Sequence, residues 1–129
     1  MRHGSTILLA ACAMAVGLAA TAAYAAERRC GWYVNPTPGN LWLVDKDATW
    51  TITSQGEAEG PDARGVDNAP DFDSKQFIET NVPGSGHGYG CACMTVETDA
   101  EDQRITRVFA GKILPLSKCK ADRSLPPPA

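Results

Sequence analysis

The chain is poor in histidine and lacks any cluster of basic charge. Two histidines occur in 129 residues. His3 precedes an apolar run, which leaves His87 as the one imidazole beyond it. Any histidine-based nucleophile–base pair would have to use His87. Ser85 lies two positions away, but no nucleophile-elbow or oxyanion-hole pattern surrounds it, so catalysis ranks low. Lys and Arg number 12 against 15 Asp and Glu, for a formal net charge of −3. The basic residues are dispersed, so the electrostatic footprint of a nucleic-acid binder is missing, and so is an obvious match to an anionic membrane surface. Also absent are a long amphipathic helical pattern, an internal repeat, a Cys-x-x-Cys redox motif, zinc-finger spacing and the EF-hand ligand pattern.

What is present begins with an N-terminal leader. Residues 1–5 carry Arg2, residues 6–18 are apolar, and Ala23-Tyr24-Ala25 places small residues where a signal peptidase reads. The pattern predicts a secretory signal peptide over residues 1–25, cleaved after Ala25. Its alanine-rich run is weaker than the span of about 20 strongly apolar residues that a membrane helix needs. Leu9-Ala10-Ala11-Cys12 resembles a lipobox, which would anchor the protein through an acylated Cys12. Only residues 6–11 would then form the hydrophobic region, short of the usual length of roughly 7–15. The soluble product, periplasmic or secreted, is the expectation.

Without the leader, residues 26–125 form a single small domain and residues 126–129 a disordered Pro-rich tail. Four cysteines remain: Cys30, Cys91, Cys93 and Cys119. An even set in a small exported domain predicts two disulfides. Spacing leaves three connectivities open. A direct Cys91–Cys93 bridge is the least expected on geometric grounds, and Cys30–Cys91 with Cys93–Cys119 is the preferred choice.

The rest of the chain reads as strands and turns. Residues 30–34 suit a first strand, Asn35-Pro-Thr-Pro-Gly-Asn40 a rigid turn, and residues 41–44 a strand buried on both faces. Residues 48–53 alternate, with Trp50 and Ile52 on one face and threonines on the other, so residues 41–54 should be a hairpin. Residues 55–74 hold Glu57, Glu59, Asp62, Asp67, Asp71 and Asp73 among glycines and prolines, and read as a long mobile surface loop. Residues 76–80 suit a short edge strand. Residues 89–98 and 104–114 should form a second hairpin, and residues 117–123 an irregular basic segment. The fold class expected is all-β: a small disulfide-stapled barrel or sandwich of five to six short antiparallel strands.

The stretch from Gly84 to Met94 concentrates the chemistry. As a strand it would align Gly84, Gly86, Gly88 and Gly90 on one bare face, under a tryptophan or a crossing strand, and Ser85, His87, Tyr89, Cys91 and Cys93 on the other. Its Pro-Gly and Ser-Gly pairs favour a loop up to Gly88 instead. His87, Cys91 and Cys93 could in principle bind zinc or cuprous copper, but export favours oxidised sulfur. No metal and no cofactor are therefore expected. The paired carboxylates Asp45/Asp47, Glu57/Glu59, Asp71/Asp73 and Asp99/Glu101/Asp102 fall mostly in turns, where aspartate caps backbone. The aromatic residues leave two readings: a core of Trp42 and Trp50 with Tyr33 at its rim, or an aromatic platform for a partner.

Several of these pieces recur together. Cys30-Gly-Trp-Tyr-x-Asn35-Pro-Thr-Pro-Gly-Asn-Leu-Trp42, Trp50-x-Ile52-x-x-Gln55-Gly56, Tyr89-Gly-Cys-Ala-Cys93 and Leu114-Pro-Leu-x-x-Cys119-x-x-Asp122 resemble a family of small exported bacterial proteins, domain of unknown function 4087. The resemblance spans roughly residues 30–125 and implies identity without a mechanism. The expected function is a non-catalytic binding or structural module of the bacterial envelope. Its candidate surface is Trp32, Tyr33, Asn35, Asn40, His87 and Tyr89, offered to a protein, peptide or glycan. One alternative is a secreted inhibitor of a hydrolase such as lysozyme, by architectural analogy. Another is a metal-handling protein using His87 with Cys91 and Cys93. An enzyme ranks third among the classes.

Overall fold

The sheet is organised around one long hairpin. β5 (Gly88–Asp99) and β6 (Arg104–Leu114) pair antiparallel from Cys91↔Leu114 to Asp99↔Arg104. The computed structural model describes residues 12–17, 25–56 and 60–128. The expected leader falls mostly outside these residues, as do residues 57–59 of the acidic segment. Among the described residues, no helix is long and apolar enough to cross a membrane.

β1 (Glu27–Asn35) lies along the other edge of β5 over its whole length, in the register Cys30↔Cys93, Trp32↔Cys91 and Val34↔Tyr89. The strand therefore begins earlier than the sequence suggests. Glu27 to Arg29, polar by composition, are held by this pairing rather than by their own propensity. β2 (Leu41–Val44) and β3 (Thr49–Thr53) form the expected hairpin, and β2 returns against β1 at Val34↔Trp42 and Trp32↔Val44. β4 (Ile78–Glu79) adds a two-residue edge to β5.

The pairings close a circuit, β1-β2-β3-β6-β5 and back to β1. Five strands in a ring cannot all be antiparallel to their neighbours, because directions would have to alternate around an odd number. The exception is β3–β6, which is parallel at Thr51↔Arg104. An all-antiparallel arrangement is therefore corrected at this seam, and β5 and β6, of 12 and 11 residues, are not short. The seam is mended by the segment read as a loose loop. Ala63 N donates to the Ile52 carbonyl, Arg64 N donates to the Thr106 carbonyl, and Val108 N donates to the Arg64 carbonyl, at 2.8–2.9 Å. The connectivity is that of an OB barrel, a partly open five-stranded Greek key.

The sheet buries side chains on both faces. Inside the ring sit Tyr33, Leu43, Trp50, Ile52, Ala92, Met94, Val96, Ile105 and Val108. Residues 60–77 lie over this core. Ala63 is buried, Phe72 stacks on Tyr33 with ring centres 4.4 Å apart, and Phe77 meets Phe72 edge-on. Those contacts give the segment an apolar purchase that its acidic composition hides. Burial, with Asp71 nearby, pushes the Tyr33 phenol well above its ordinary value.

The outer face carries Trp32, Val34, Val44 and Cys91, covered by the C-terminal segment. Here residues 116–121 are helical, not irregular: α1 (Leu116–Ala121) follows Pro115 and is pinned by Cys119. Pro126, placed in a disordered tail by composition, accepts a hydrogen bond from Trp32 Nε1 at 3.0 Å.

Candidate functional site

Both proposed cysteine pairings are corrected. The bridges are Cys30–Cys93, between directly facing residues of β1 and β5, and Cys91–Cys119, from β5 to α1. The antiparallel register decides this. It sets Cys30 opposite Cys93 and gives Cys91 the neighbour Trp32, so Cys91 can only turn outward to α1. With both sulfurs bonded, His87 has no thiolate beside it, and the metal-handling reading through Cys91 and Cys93 loses its ligands. No group of three or more His, Cys, Asp or Glu side chains is arranged for a metal among the described residues.

Burial corrects the aromatic platform as well. Trp32 is 4% exposed and Tyr33 3%, on opposite faces of β1, so neither belongs to a surface. Trp50 is buried as expected, whereas Trp42, expected in the core, is partly exposed on the outer face.

Asn35, Asn40, His87 and Tyr89 are brought to one end of the barrel. Asn35 organises it. Its Nδ2 donates to the Gly86 carbonyl at 3.0 Å, its Oδ1 accepts from Gly88 N at 2.9 Å, and its own carbonyl lies 3.2 Å from His87 Nδ1. Gly84 and Gly86 have φ of 81° and 74°, a left-handed conformation open to glycine, so residues 80–87 are a loop and β5 starts at Gly88. The bare glycine face of the sequence reading survives at Gly88, where a Cβ would lie 1.9 Å from the Ile78 carbonyl oxygen of the adjoining β4, and at Gly90, where it would lie 3.0 Å from the Gln76 carbonyl oxygen and 3.6 Å from the Phe72 ring. The loop is tied at its base by Thr80 N donating to the His87 carbonyl at 3.0 Å and within by Gly84 N donating to the Glu79 carboxylate. Val82 stands 68% exposed near its tip.

The neighbouring turn is tied to β3. Asn40 Oδ1 accepts from Gln55 N at 2.8 Å, and Thr53 Oγ1 donates to the Gly39 carbonyl at 2.9 Å. Two ordered loops, residues 36–40 and 80–87, thus flank the same end of the sheet. Between them, across the outer face, runs the row Thr51, Trp42, Val34, Tyr89 and Ile78, in register on β3, β2, β1, β5 and β4.

Reading the aromatics and the histidine singly missed a simpler signal. Residues 30–44, 48–56 and 80–96 contain no Asp, Glu, Lys or Arg. The fold brings parts of them, residues 35–42, 51–55 and 80–90, to one end, with Glu79 at the base of the second loop and Arg104 beside Thr51, while residues 93–96 run on to pair with residues 27–30. The opposite end holds Arg29, whose Nη1 donates to Asp45 Oδ2 at 2.7 Å and to Asp47 Oδ2 at 3.1 Å. Charge is therefore sparse at the first end and paired at the second.

Comparison with curated proteins and with solved structures finds no match. A family model, described as a protein of unknown function (DUF4087), matches residues 24–126. The motifs quoted from β1 to α1 lie inside that span, and the chain belongs to this family of proteins of unknown function.

Proposed function

We propose that this is an exported, non-catalytic binding module of the bacterial envelope that engages its partner through the uncharged end of the barrel. The observation that carries the reading is the convergence of the uncharged stretches 35–42, 51–55 and 80–90 at one end, with both loops there fixed by side-chain and backbone hydrogen bonds. A preordered loop loses little conformational entropy on binding. An uncharged contact surface favours partners that are themselves uncharged where they touch. Export, with cleavage after Ala25, is supported by the apolar leader and by two disulfides, which persist in oxidising compartments. Periplasm and medium both satisfy these conditions, and lipidation at Cys12 is the less favoured variant.

The test is retention on an isolated envelope fraction of the producing bacterium. The oxidised protein should co-sediment with that fraction. Val82→Asp, which places a charge at the exposed loop, should abolish most of the retention, whereas Arg107→Ala on the far side should leave it unchanged. Equal retention of all three proteins would sink the reading. A second reading, inhibition of a hydrolase such as lysozyme, draws on the exposed Val82 at the tip of a tied loop. It is distinguished by slowed turnover of cell-wall substrate that Val82→Asp relieves.

A further inference from the structure

We infer that the row across the uncharged end is a platform for a neutral oligosaccharide, stacked on Trp42 and Tyr89. The inference rests on the proposed binding end and names the chemical class of its ligand. Trp42 and Tyr89 are both partly exposed and flank Val34, which is 1% exposed, in direct register on β2, β1 and β5. Two interstrand spacings separate them, about 10 Å, a span that two linked pyranose rings cover. The C–H face of a pyranose packs on an aromatic face, and its hydroxyls require neutral donors and acceptors. Thr51 lies beside Trp42 in the register, and Asn40 and Thr53 lie at the adjoining turn.

The rings are supported from beneath. Trp32 meets Tyr89 edge-on, with centres 5.2 Å apart and planes at 81°, and is itself held by its hydrogen bond to the Pro126 carbonyl. This fixes the attitude of the Tyr89 ring before any ligand arrives, which lowers the ordering cost of binding. The charge pattern selects against the other macromolecular classes. A nucleic acid would need a run of cations along its track, and residues 35–44, 51–55 and 80–90 supply none, the one cation in register with the row, Arg104 beside Thr51, donating to the Pro61 carbonyl. Two clefts lie elsewhere on the molecule: one is lined by the cations Arg28 and Lys112, the other by Arg29, Asp45 and Asp47, and the charges of this second set already pair with one another.

The experiment is isothermal titration of the oxidised protein with cellotetraose and with chitotetraose, two neutral β-linked probes. Saturable binding to at least one is expected, unchanged by a severalfold rise in salt because no ion pair forms. Trp42→Leu and Tyr89→Leu keep an apolar side chain over Val34 while removing the ring face. Each should weaken binding roughly tenfold. Circular dichroism of each variant checks that the fold is kept, and Arg107→Ala should bind as the wild type does. Binding that ignores both ring variants overturns the inference, as does strong weakening by salt. Failure to bind either probe, with envelope retention intact and sensitive to Val82→Asp, also overturns it and assigns the surface to a protein partner. Loss of retention together with loss of probe binding would instead remove the binding-end reading itself.

Discussion

Replacing Cys30 and Cys93 together by serine is expected to lower the unfolding free energy by about 4 kcal/mol, and replacing Cys91 and Cys119 by about 3.5 kcal/mol. These values follow from the loop-closure entropy removed from the unfolded chain for sequence separations of 63 and 28. A domain of this size is stable by about 5–15 kcal/mol in total, so either loss alone should leave a weakened fold and full reduction should unfold the domain. The two bridges also act on different parts. Cys30–Cys93 ties the two central strands to each other, and Cys91–Cys119 holds α1 over the outer face. Loss of the second should therefore free α1 first and expose Trp32, which the C-terminal segment covers. Urea unfolding followed by tryptophan fluorescence and far-ultraviolet circular dichroism reads both effects. In the Cys91/Cys119 variant the fluorescence should change ahead of the strand signal. Coincident transitions at an unchanged midpoint would contradict this division of roles.

Asp45→Ala should cost about 3 kcal/mol or more, the range for removing one partner of a buried ion pair. Asp45 is 6% exposed in the turn between β2 and β3, and four groups converge on it. Arg29 Nη1 donates to Oδ2, while Trp50 Nε1 and the backbone N–H groups of Asp47 and Ala48 donate to Oδ1. The guanidinium of Arg29 also lies over the Trp50 ring, 4.0 Å from its centre. Without the carboxylate, a largely buried cation and an indole N–H lose their main acceptor. Burial by itself would raise the Asp45 pKa, but the hydrogen bonds from Arg29, Trp50 and the two backbone amides outweigh it and hold the value below normal. A depressed folded-state pKa means that this contribution is complete above the unfolded value, about 4, and drains away as pH falls through the lower folded value. Thermal unfolding should show wild-type stability falling below about pH 4, with a shallower fall in Asp45→Asn. Parallel pH profiles for the two proteins would show that another carboxylate governs acid unfolding.

Much of the fold is legible from alternation and turn chemistry. Trp50 and Ile52 against the threonines of β3, and the paired runs on either side of residues 100–103, identify the two hairpins because each strand has one dry face. Closure of the ring is not legible. It depends on the register of β1 against β5, a contact across about half the chain, 63 residues from Cys30 to Cys93, and a shift of two residues would set Cys30 opposite Cys91. That is why the number of disulfides can be read and their partners cannot. The acidic segment misleads for a related reason. Ala63, Phe72 and Phe77 are the residues that anchor it, and no periodicity connects them. At the candidate site, Asn35, Asn40, His87 and Tyr89 are visible as a glycine- and proline-framed cluster. Trp32 and Tyr33 mislead because adjacent strand residues point to opposite faces, and here both faces are covered. Trp42 stays partly exposed because it packs at the margin of the outer-face cluster rather than inside the ring.

The most direct test of the binding end is amide hydrogen exchange of the oxidised protein, free and bound to the isolated envelope fraction. Slower exchange confined to residues 35–44, 51–55 and 80–89, with residues 27–30 and 45–48 unchanged, is the predicted footprint. Slowing confined to the charged end, around Arg29 and Asp45, would contradict it.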